Sequence, residues 1–218
     1  LILFDLALGP PERRSSTYAE LGARAYAACG ADFALGSVGA GRGATCGPLK
    51  GGIGTASIVD EVTGATVAAL AAVNAMGSAV IPGTATLWAW PFERDGELGR
   101  QPTPTGPFAL DADVPGLVRQ NTTLVVVATD AALDRTQAKR LAVMAQDGLA
   151  RALRPVHTPF DGDTVVALAT GAAGPVAPRE LARLGTHAAD VTARAVARGV
   201  VEATSLAGIP AYREMRDG

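Results

Sequence analysis

The chain has 218 residues, of which 48% are hydrophobic, and a formal net charge of −2, so it can bury a sizeable core in one large domain or two small ones. It shows no basic stripe and no apolar run of about 20 residues, which argues against nucleic acid as a partner and against a membrane-spanning segment. Two cysteines, Cys29 and Cys46, are too few for a disulfide framework and indicate a reducing, cytoplasmic environment.

The first predicted elements are a strand and a helix. Residues 1–6, LILFDL, form a strand pattern with no turn before it. An unpaired strand edge at the first residue is an aggregation hazard, so we expect an N-terminal part of the protein to precede this sequence. Thr17 and Glu20 form a capping-box pattern, which predicts a helix from there to Gly30.

Residues 36–54 hold eight glycines, a density that neither a helix nor an ordinary strand tolerates. The segment predicts tight turns or main chain pressed close to another group. It matches neither a dinucleotide-binding nor a P-loop pattern, because glycines continue where a helix should start and Lys50 is followed by another glycine. A non-enzymatic α/β binding domain, whose glycine-rich loop cradles a small anion, is one alternative function.

Two buried strands are predicted next, over residues 55–61 and 65–75, and residues 86–90 are interpreted as an extension of the second hairpin. Asn74 lies inside the apolar second strand, and a buried amide needs hydrogen-bond partners. Its side chain either bonds neighbouring backbone or donates to an oxyanion in a catalytic site.

Residues 91–121 differ in kind, with five prolines and little hydrophobic periodicity. We interpret them as a linker of about 30 residues, longer than a compact domain carries without a purpose. Since the linker has little apolar area to bury, we expect it to be the least ordered part of the protein, above all over residues 95–118 after a cut at its end.

The second half alternates strands and helices. A strand is predicted over residues 123–129, then a helix capped by Asp134 and Gln137, then a strand over 163–171. A final helical pattern covers residues 178–207, with two internal glycines expected to split or bend it. This order of elements predicts a layered α/β domain. The apolar positions of the two helices are Ala138, Leu141, Ala145, Leu149 and Ala152, and Leu181, Leu184, Ala188, Val191, Ala195 and Val196.

The junction between linker and strand carries the strongest functional signal. Thr122 lies between Asn121 and the predicted strand, so its hydroxyl can attack the Asn121 carbonyl and convert the peptide into an ester. Hydrolysis then frees Thr122 as a new N-terminus, whose α-amine, with a pKa of about 7.7–8.0, can act as the base for its own hydroxyl. The same NTT stretch is an N-glycosylation sequon, but the threshold of a buried strand is a poor place for a glycan.

Two carboxylates flank a glycine further on. Asp161 and Asp163 form either a tight turn or a pair that orients a base or holds a proton. His157 and His187 are isolated in the sequence and have no partner at metal-ligand spacing. Structural or surface roles are expected for both histidines, and neither a metal nor a cofactor is expected.

Three separated segments resemble the DmpA-type aminopeptidases, a family that includes the L-aminopeptidase/D-esterases and the β-aminopeptidases. They are VGAGRGATCGPLKGGIGTAS, NTTLVVVATDAALD and AKRLAVMAQDGLARALRPVHTPFDGDTVVALATG, in this order along the chain. The resemblance implies an αββα four-layer sandwich of the N-terminal-nucleophile type, with an N-terminal part missing from this sequence. It also implies self-cleavage, hydrolysis of a small amide or peptide-like substrate, and a homo-oligomer of αβ units.

The resemblance assigns roles to four residues. Thr122 matches the nucleophile, and Asn74 matches the asparagine of the oxyanion hole. Asp161 and Asp163 stand where the β-aminopeptidases have a Ser-Gly-Glu site that supports the nucleophile, so the chemistry of this site departs from theirs.

The resemblance also divides the chain at Asn121–Thr122. Residues 1–121, with the linker 91–121, are then the C-terminal part of a larger chain, and residues 122–218 form a smaller chain; together they make one domain. Threonine after asparagine departs from the serine after glycine of many relatives. It is shared with a branch that resembles ThnT, the pantetheine hydrolase of carbapenem biosynthesis, which implies a pantetheine-like amide as one substrate. Acyl transfer by the same threonine is the alternative reaction.

Overall fold

A computed structural model describes residues 18–105 and 121–217, and the elements given below belong to these residues. The helices are α1 (Tyr18–Ala27), α2 (Arg135–Ala152), α3 (Pro178–Val201) and α4 (Tyr212–Asp217). The strands are β1 (Thr45–Cys46), β2 (Leu49–Lys50), β3 (Ile53–Val59), β4 (Thr66–Ala72), β5 (Leu124–Ala132) and β6 (Thr164–Pro175).

Strands β3 to β6 form one mixed sheet in the order β3-β4-β5-β6. The first two pairings are antiparallel, and β5 pairs with β6 in parallel, because α2 carries the chain back across one face of the sheet between them. Helices α2 and α3 pack against each other on that face. The core therefore lies between the sheet and this helix layer.

The two faces of the sheet differ in exposure. In β5, Val125 and Val127 point into the core and are buried, whereas Val126 between them is 36% exposed, as the two-residue period of a strand requires. The helix-free face is therefore apolar and uncovered by the described residues. Its other exposed large side chains include Leu70, Val166 and Leu168.

Helix α2 begins as its sequence predicts. Asp134 Oδ1 accepts the Gln137 N–H at 2.8 Å, and Gln137 Oε1 accepts the Asp134 N–H at 2.9 Å. This reciprocal pair confirms the capping box. The apolar positions that are fully buried are Leu141, Ala145, Leu149 and Ala152.

Helix α3 is continuous over Pro178–Val201, so the prediction that internal glycines split it was wrong, as was its extension to residue 207. Gly185 lies where α3 meets α2, and a Cβ there would come within 2.2 Å of the Met144 sulfur. Gly199 likewise faces the backbone between β2 and β3. These glycines allow close packing, and the buried surface on both sides of the helix offsets their unfavourable helix propensity.

Residues 86–101 form neither the strand nor the loose linker that the sequence pattern predicts. Leu87 makes only an isolated bridge to Val80. The Glu93 carboxylate then accepts hydrogen bonds from the backbone N–H groups of residues 98, 100 and 101, and Leu98 is fully buried. One side chain satisfies three backbone donors, which orders residues 98–101 without a helix or a strand there.

Some predictions concern residues that are not described. The strand at residues 1–6, the capping residue Thr17 and the linker residues 106–120 fall in this group. Helix α1 agrees with the predicted helix but ends at Ala27, short of Gly30. Among the described residues, none of the helices combines the length and the apolar character needed to cross a membrane.

Asp60, in the turn between β3 and β4, fastens this hairpin to α3. Its fully buried carboxylate accepts hydrogen bonds from Arg183 Nη2 at 2.8 Å, His187 Nε2 at 2.9 Å and Thr63 N at 2.8 Å. Burial alone would raise the pKa of Asp60, but these hydrogen bonds outweigh it and hold the pKa well below its usual range. His187 therefore has a structural role, as its sequence suggested.

Replacing this carboxylate should give a pH-dependent loss of stability. Asp60→Asn removes an ionised acceptor and should lower the free energy of unfolding by roughly 1–3 kcal/mol at pH 7. Because the folded pKa is depressed, the wild-type advantage is complete above the unfolded pKa of about 3.9 and is lost as pH falls through the folded value. Urea unfolding of both proteins from pH 7 to pH 3 checks this; a difference that stays constant over this range would contradict it.

Candidate active site

The peptide bond between Asn121 and Thr122 lies directly before β5, at the end of the sheet where β4 ends and β6 begins. Asn121 pairs with Asp161 in an isolated parallel bridge, and its N–H donates to the Phe160 carbonyl at 3.0 Å. Asn121 and Thr122 are buried, with 7% and 8% of their surfaces exposed. The sheet therefore holds this peptide in one place.

The Asn121 carbonyl oxygen accepts two hydrogen bonds. Thr122 Oγ1 donates at 2.5 Å, and the Gly162 N–H donates at 2.9 Å. The hydroxyl is held against the carbonyl group that precedes it. The Gly162 N–H points at the oxygen that would take a negative charge if this carbonyl were attacked. The arrangement can polarise the carbonyl and stabilise an oxyanion.

Gly162 also leaves the space that the Thr122 hydroxyl occupies. A Cβ at position 162 would come within 2.8 Å of Thr122 Oγ1, closer than side-chain carbons approach an oxygen without displacing it. The φ angle of Gly162 lies outside the left-handed region. The glycine is therefore required by this close approach and not by a special backbone conformation.

Asn74, two residues beyond the end of β4, lies against Thr122. Its backbone carbonyl accepts the Thr122 N–H at 2.7 Å. Its side-chain Oδ1 accepts the Thr45 N–H at 3.0 Å, which fixes the orientation of the amide and makes its NH₂ group the donor end. Asn74 is 2% exposed, so both of its polar ends act inside the protein.

Asp161 links the segment after Asn74 to the loop before β6. One of its oxygens accepts the Met76 N–H at 3.1 Å, and the other accepts the Thr158 hydroxyl at 2.6 Å and the Thr158 N–H at 3.2 Å. Both carboxylate oxygens therefore accept hydrogen bonds that hold backbone in place. This geometry suits a bracing role better than that of a base.

Asp163 contacts the backbone next to the Thr122 position. Its Oδ1 accepts the Thr123 N–H at 2.8 Å, and its Oδ2 lies 2.9 Å from His157 Nδ1. Burial is the main cause that raises the pKa of Asp163; the Thr123 N–H acts in the opposite direction, and the charge of Asp161 raises it further. His157 is thus a partner of the site, although its sequence position gave it only a structural or surface role.

The glycine-rich stretch does not form an anion cradle. The backbone N–H groups of Gly41, Arg42, Ala44 and Gly51 all donate to carbonyl oxygens of the same region. The carbonyls of the loop point instead at the ammonium group of Lys50, with Ala44 O at 2.6 Å and Arg42 O at 2.8 Å. A ring of carbonyl oxygens attracts a cation, which weighs against the small-anion alternative.

The structure brings the sequence-predicted site residues together at one end of the sheet: Asn74, Asn121, Thr122, Asp161 and Asp163. Gly162, His157 and Thr45 also belong to the site, although no site role was predicted for them from the sequence. Gly162 had a signal, since it lies between two flagged aspartates. Thr45 had none, because its shorter hydrogen bond to Asn74 uses a backbone N–H that any residue except proline provides.

Comparison with known proteins places the chain in a family. The model of Peptidase family S58 matches residues 2–213. An uncharacterized aminopeptidase of Mycobacterium tuberculosis is 43% identical over 240 residues, which cover 100% of this chain and 66% of that protein. One of Mycobacterium leprae is 41% identical over 239 residues, covering 100% and 64%. The chain thus spans about two thirds of the length of these relatives.

Solved structures of aminopeptidases share the fold of this chain. A β-aminopeptidase of Burkholderia sp. superimposes with a TM-score of 0.64 at 29% identity, over 89% of this chain and 55% of that one. The L-aminopeptidase D-Ala-esterase/amidase of Ochrobactrum anthropi, described as a prototype for the serine aminopeptidases and a variant of the Ntn-hydrolase fold, gives a TM-score of 0.57 at 27% identity, over 80% and 47%.

These likenesses confirm the predicted fold class, an α/β fold of the DmpA-like αββα type. The described residues supply one four-stranded sheet with the helix layer on it, and a separate two-stranded sheet of β1 and β2. In a four-layer sandwich two sheets pack face to face, and the described sheet has one exposed face that carries Val126 and Leu168. The family model, the relatives and the fold agree, and the chain therefore belongs to Peptidase family S58.

Proposed function

We propose that this protein is a self-processing amide hydrolase that cuts its own chain between Asn121 and Thr122. In this step Thr122 Oγ bonds to the Asn121 carbonyl carbon, the C–N bond breaks, and the hydroxyl proton ends on the released amine. Water then hydrolyses the ester, which leaves a carboxylate on Asn121 and restores the threonine hydroxyl. The observation that carries the proposal is the pair of hydrogen bonds on the Asn121 carbonyl oxygen, from Thr122 Oγ1 and the Gly162 N–H.

The same geometry supports turnover after the cut. The new α-amine of Thr122 would keep the Asn74 backbone carbonyl as an anchor, since the Thr122 nitrogen already donates to it at 2.7 Å. Anchored there, the amine can take the proton of its own hydroxyl when that hydroxyl attacks a substrate carbonyl. A substrate carbonyl would occupy the place that the Asn121 carbonyl leaves, with the Gly162 N–H as one donor and the Asn74 amide as another.

The proposed substrates are small amides or peptide-like compounds. The relatives include an aminopeptidase and a β-aminopeptidase, which supports an amino-acid amide as the substrate. The asparagine–threonine junction resembles that of ThnT, the pantetheine hydrolase, and on this resemblance alone we propose a pantetheine-like amide as a further substrate. We also propose that the two chains stay together after the cut, as a homo-oligomer of αβ units. Both cysteines are free thiols, which agrees with a reducing cytoplasm.

An assay of the processed protein tests the proposal. L-alanine p-nitroanilide and pantetheine are incubated with the wild type, with and without hydroxylamine as an acceptor. Hydrolysis to the free acid in the absence of hydroxylamine supports the hydrolase. A product formed only with the acceptor would support the acyltransferase alternative, and no turnover by a cleaved protein would contradict both substrate classes.

The Asn74 amide should contribute to turnover as an oxyanion donor. Loss of one such donor costs about 10²–10³ in rate, so Asn74→Ala should lower kcat by this factor, with little change in KM, because the donor acts on charge that develops only in the transition state. The backbone carbonyl that holds the Thr122 nitrogen is retained in this variant. Steady-state kinetics on the purified variant test this prediction. An unchanged kcat would show that the Asn74 side chain has no role in the mechanism.

A further inference from the structure

Lys50 is a buried lysine to which the proposed mechanism gives no role. It is 1% exposed, which is rare for this residue type. An ammonium carries three N–H donors and no acceptor. The Nζ atom lies 2.6 Å from Ala44 O, 2.8 Å from Arg42 O and 3.5 Å from Gly41 O. These carbonyls belong to the glycine-rich loop, so the ammonium group of Lys50 binds three backbone oxygens of this loop.

The loop held by Lys50 leads directly to Asn74. Ala44, whose carbonyl receives the shortest of the three hydrogen bonds, precedes Thr45. The Thr45 N–H then donates to Asn74 Oδ1 at 3.0 Å, and the Thr45 carbonyl accepts the Ala75 N–H at 2.9 Å. The peptide group that connects Ala44 and Thr45 therefore has its oxygen bonded to the lysine and its nitrogen bonded to the Asn74 amide.

This shared peptide makes the two hydrogen bonds cooperative. A donor on the oxygen of an amide polarises the group and strengthens its N–H as a donor. The ammonium on Ala44 O should therefore strengthen the hydrogen bond from Thr45 N–H to Asn74 Oδ1. It also fixes the plane of the peptide. Both effects hold the amide of Asn74 in one orientation, with its NH₂ group as the donor end.

We propose that Lys50 is a positioning residue, which sets the orientation of the Asn74 amide through the peptide between Ala44 and Thr45. The inference rests on the proposed function, in which this amide donates to the oxyanion. It also gives the glycine-rich loop a purpose: a loop with few side chains lets several carbonyls approach one ammonium group. The hydrogen bonds from Lys50 to the loop end on backbone carbonyls and not on the reacting atoms, so in this proposal it acts through Asn74.

The test uses Lys50→Met, made in the full chain, which keeps the length of the side chain and removes the charge and its donors. Arg194→Met is the matched control, because Arg194 is also a buried cation that holds a backbone carbonyl, that of Ser57, and pairs with Glu97. Both variants should lose stability. Only Lys50→Met should lower the hydrogen-exchange protection of the Thr45 amide, by about tenfold or more, at matched stability.

Kinetics separate positioning from general destabilisation. With L-alanine p-nitroanilide, Lys50→Met should lower kcat about tenfold with little change in KM, and should have almost no further effect when Asn74→Ala is already present. Arg194→Met should leave kcat unchanged. An equal loss of kcat in both backgrounds, or unchanged protection of the Thr45 amide in Lys50→Met, would overturn the proposal.

Two other results also bear on the proposal. If Lys50→Met does not fold, exchange in the wild type decides: a Thr45 amide that exchanges as fast as exposed loop amides overturns the proposal, and one protected as well as the amides of β4 supports it. If protection falls in Lys50→Met but Asn74→Ala is fully active, Lys50 still positions Asn74, and the proposed oxyanion role of Asn74 is the part that fails.

Discussion

Thr122→Ala is expected to remain a single uncut chain without hydrolase activity. The variant lacks the hydroxyl that donates to the Asn121 carbonyl oxygen, and no other side-chain hydroxyl is hydrogen-bonded to that oxygen among the described residues. Thr122→Ser retains the hydroxyl and should still cleave. A denaturing gel and the intact mass of each variant, taken over several days, check both expectations. If Thr122→Ala splits at the same bond, this threonine has no part in the mechanism.

The neighbouring threonine provides a matched control. Thr123 is fully buried, and its hydroxyl has no hydrogen-bond partner within the described residues. Its contact with Asp163 uses the backbone N–H, which substitution retains. Thr123→Val should therefore cleave like the wild type and be equally or slightly more stable, because an unpaired buried hydroxyl is replaced by a methyl group of the same shape. Loss of cleavage in this variant would mean that the wrong threonine has been assigned.

Gly162→Ala is expected to stop or strongly slow self-cleavage while the protein still folds. The new Cβ would lie 2.8 Å from Thr122 Oγ1, so the hydroxyl must leave its place beside the Asn121 carbonyl. A displacement of about 1 Å at a reacting group can cost about 10²-fold in rate. The half-time of cleavage, followed by mass spectrometry after rapid purification, measures the effect. Cleavage at the wild-type rate would contradict the geometry proposed for the precursor.

Two comparisons separate this contact from general effects of alanine. Gly22→Ala, on α1, has no atom within 4 Å of the new Cβ and should cleave normally. The double variant Gly162→Ala/Thr122→Ser should cleave faster than Gly162→Ala alone, because serine lacks the γ-methyl group and can adopt rotamers that threonine avoids. If the double variant is as slow as the single one, the backbone of residue 162, and not its contact with the hydroxyl, limits the reaction.

Local patterns predicted the regular elements well. The capping box of Asp134 and Gln137, the alternation in β5 and the periodicity of α3 each depend on residues that are close together in the sequence. The same patterns wrongly predicted a break in the helix at Gly185, and a strand followed by a loose linker from residue 86. At Gly185 the helix packs closely against Met144 of α2. Residues 98–101 are ordered by the Glu93 carboxylate. Neither contact leaves a periodic trace in the sequence.

The candidate site shows the same difference between features with a local sequence pattern and contacts between distant residues. The junction at Thr122 was visible because a strand pattern starts abruptly after a proline-rich segment. Lys50, by contrast, matched no motif, and the carbonyl oxygens that it binds belong to residues whose identity hardly matters. His157 was interpreted as isolated, yet it lies 2.9 Å from Asp163, six positions along the chain. Contacts made by backbone groups, or across a loop, do not depend on a local sequence pattern and therefore could not be predicted from one.

Self-cleavage at one bond is the central claim, and the intact mass of the purified wild-type protein tests it most directly. We predict two fragments under denaturing conditions, one ending in Asn121 with a free carboxylate and one beginning with Thr122, whose masses sum to that of the uncut chain plus one water. Amine labelling before digestion should mark Thr122 as a new N-terminus. A single uncut chain that nevertheless hydrolyses amides, or a cut at any other bond, would contradict the account.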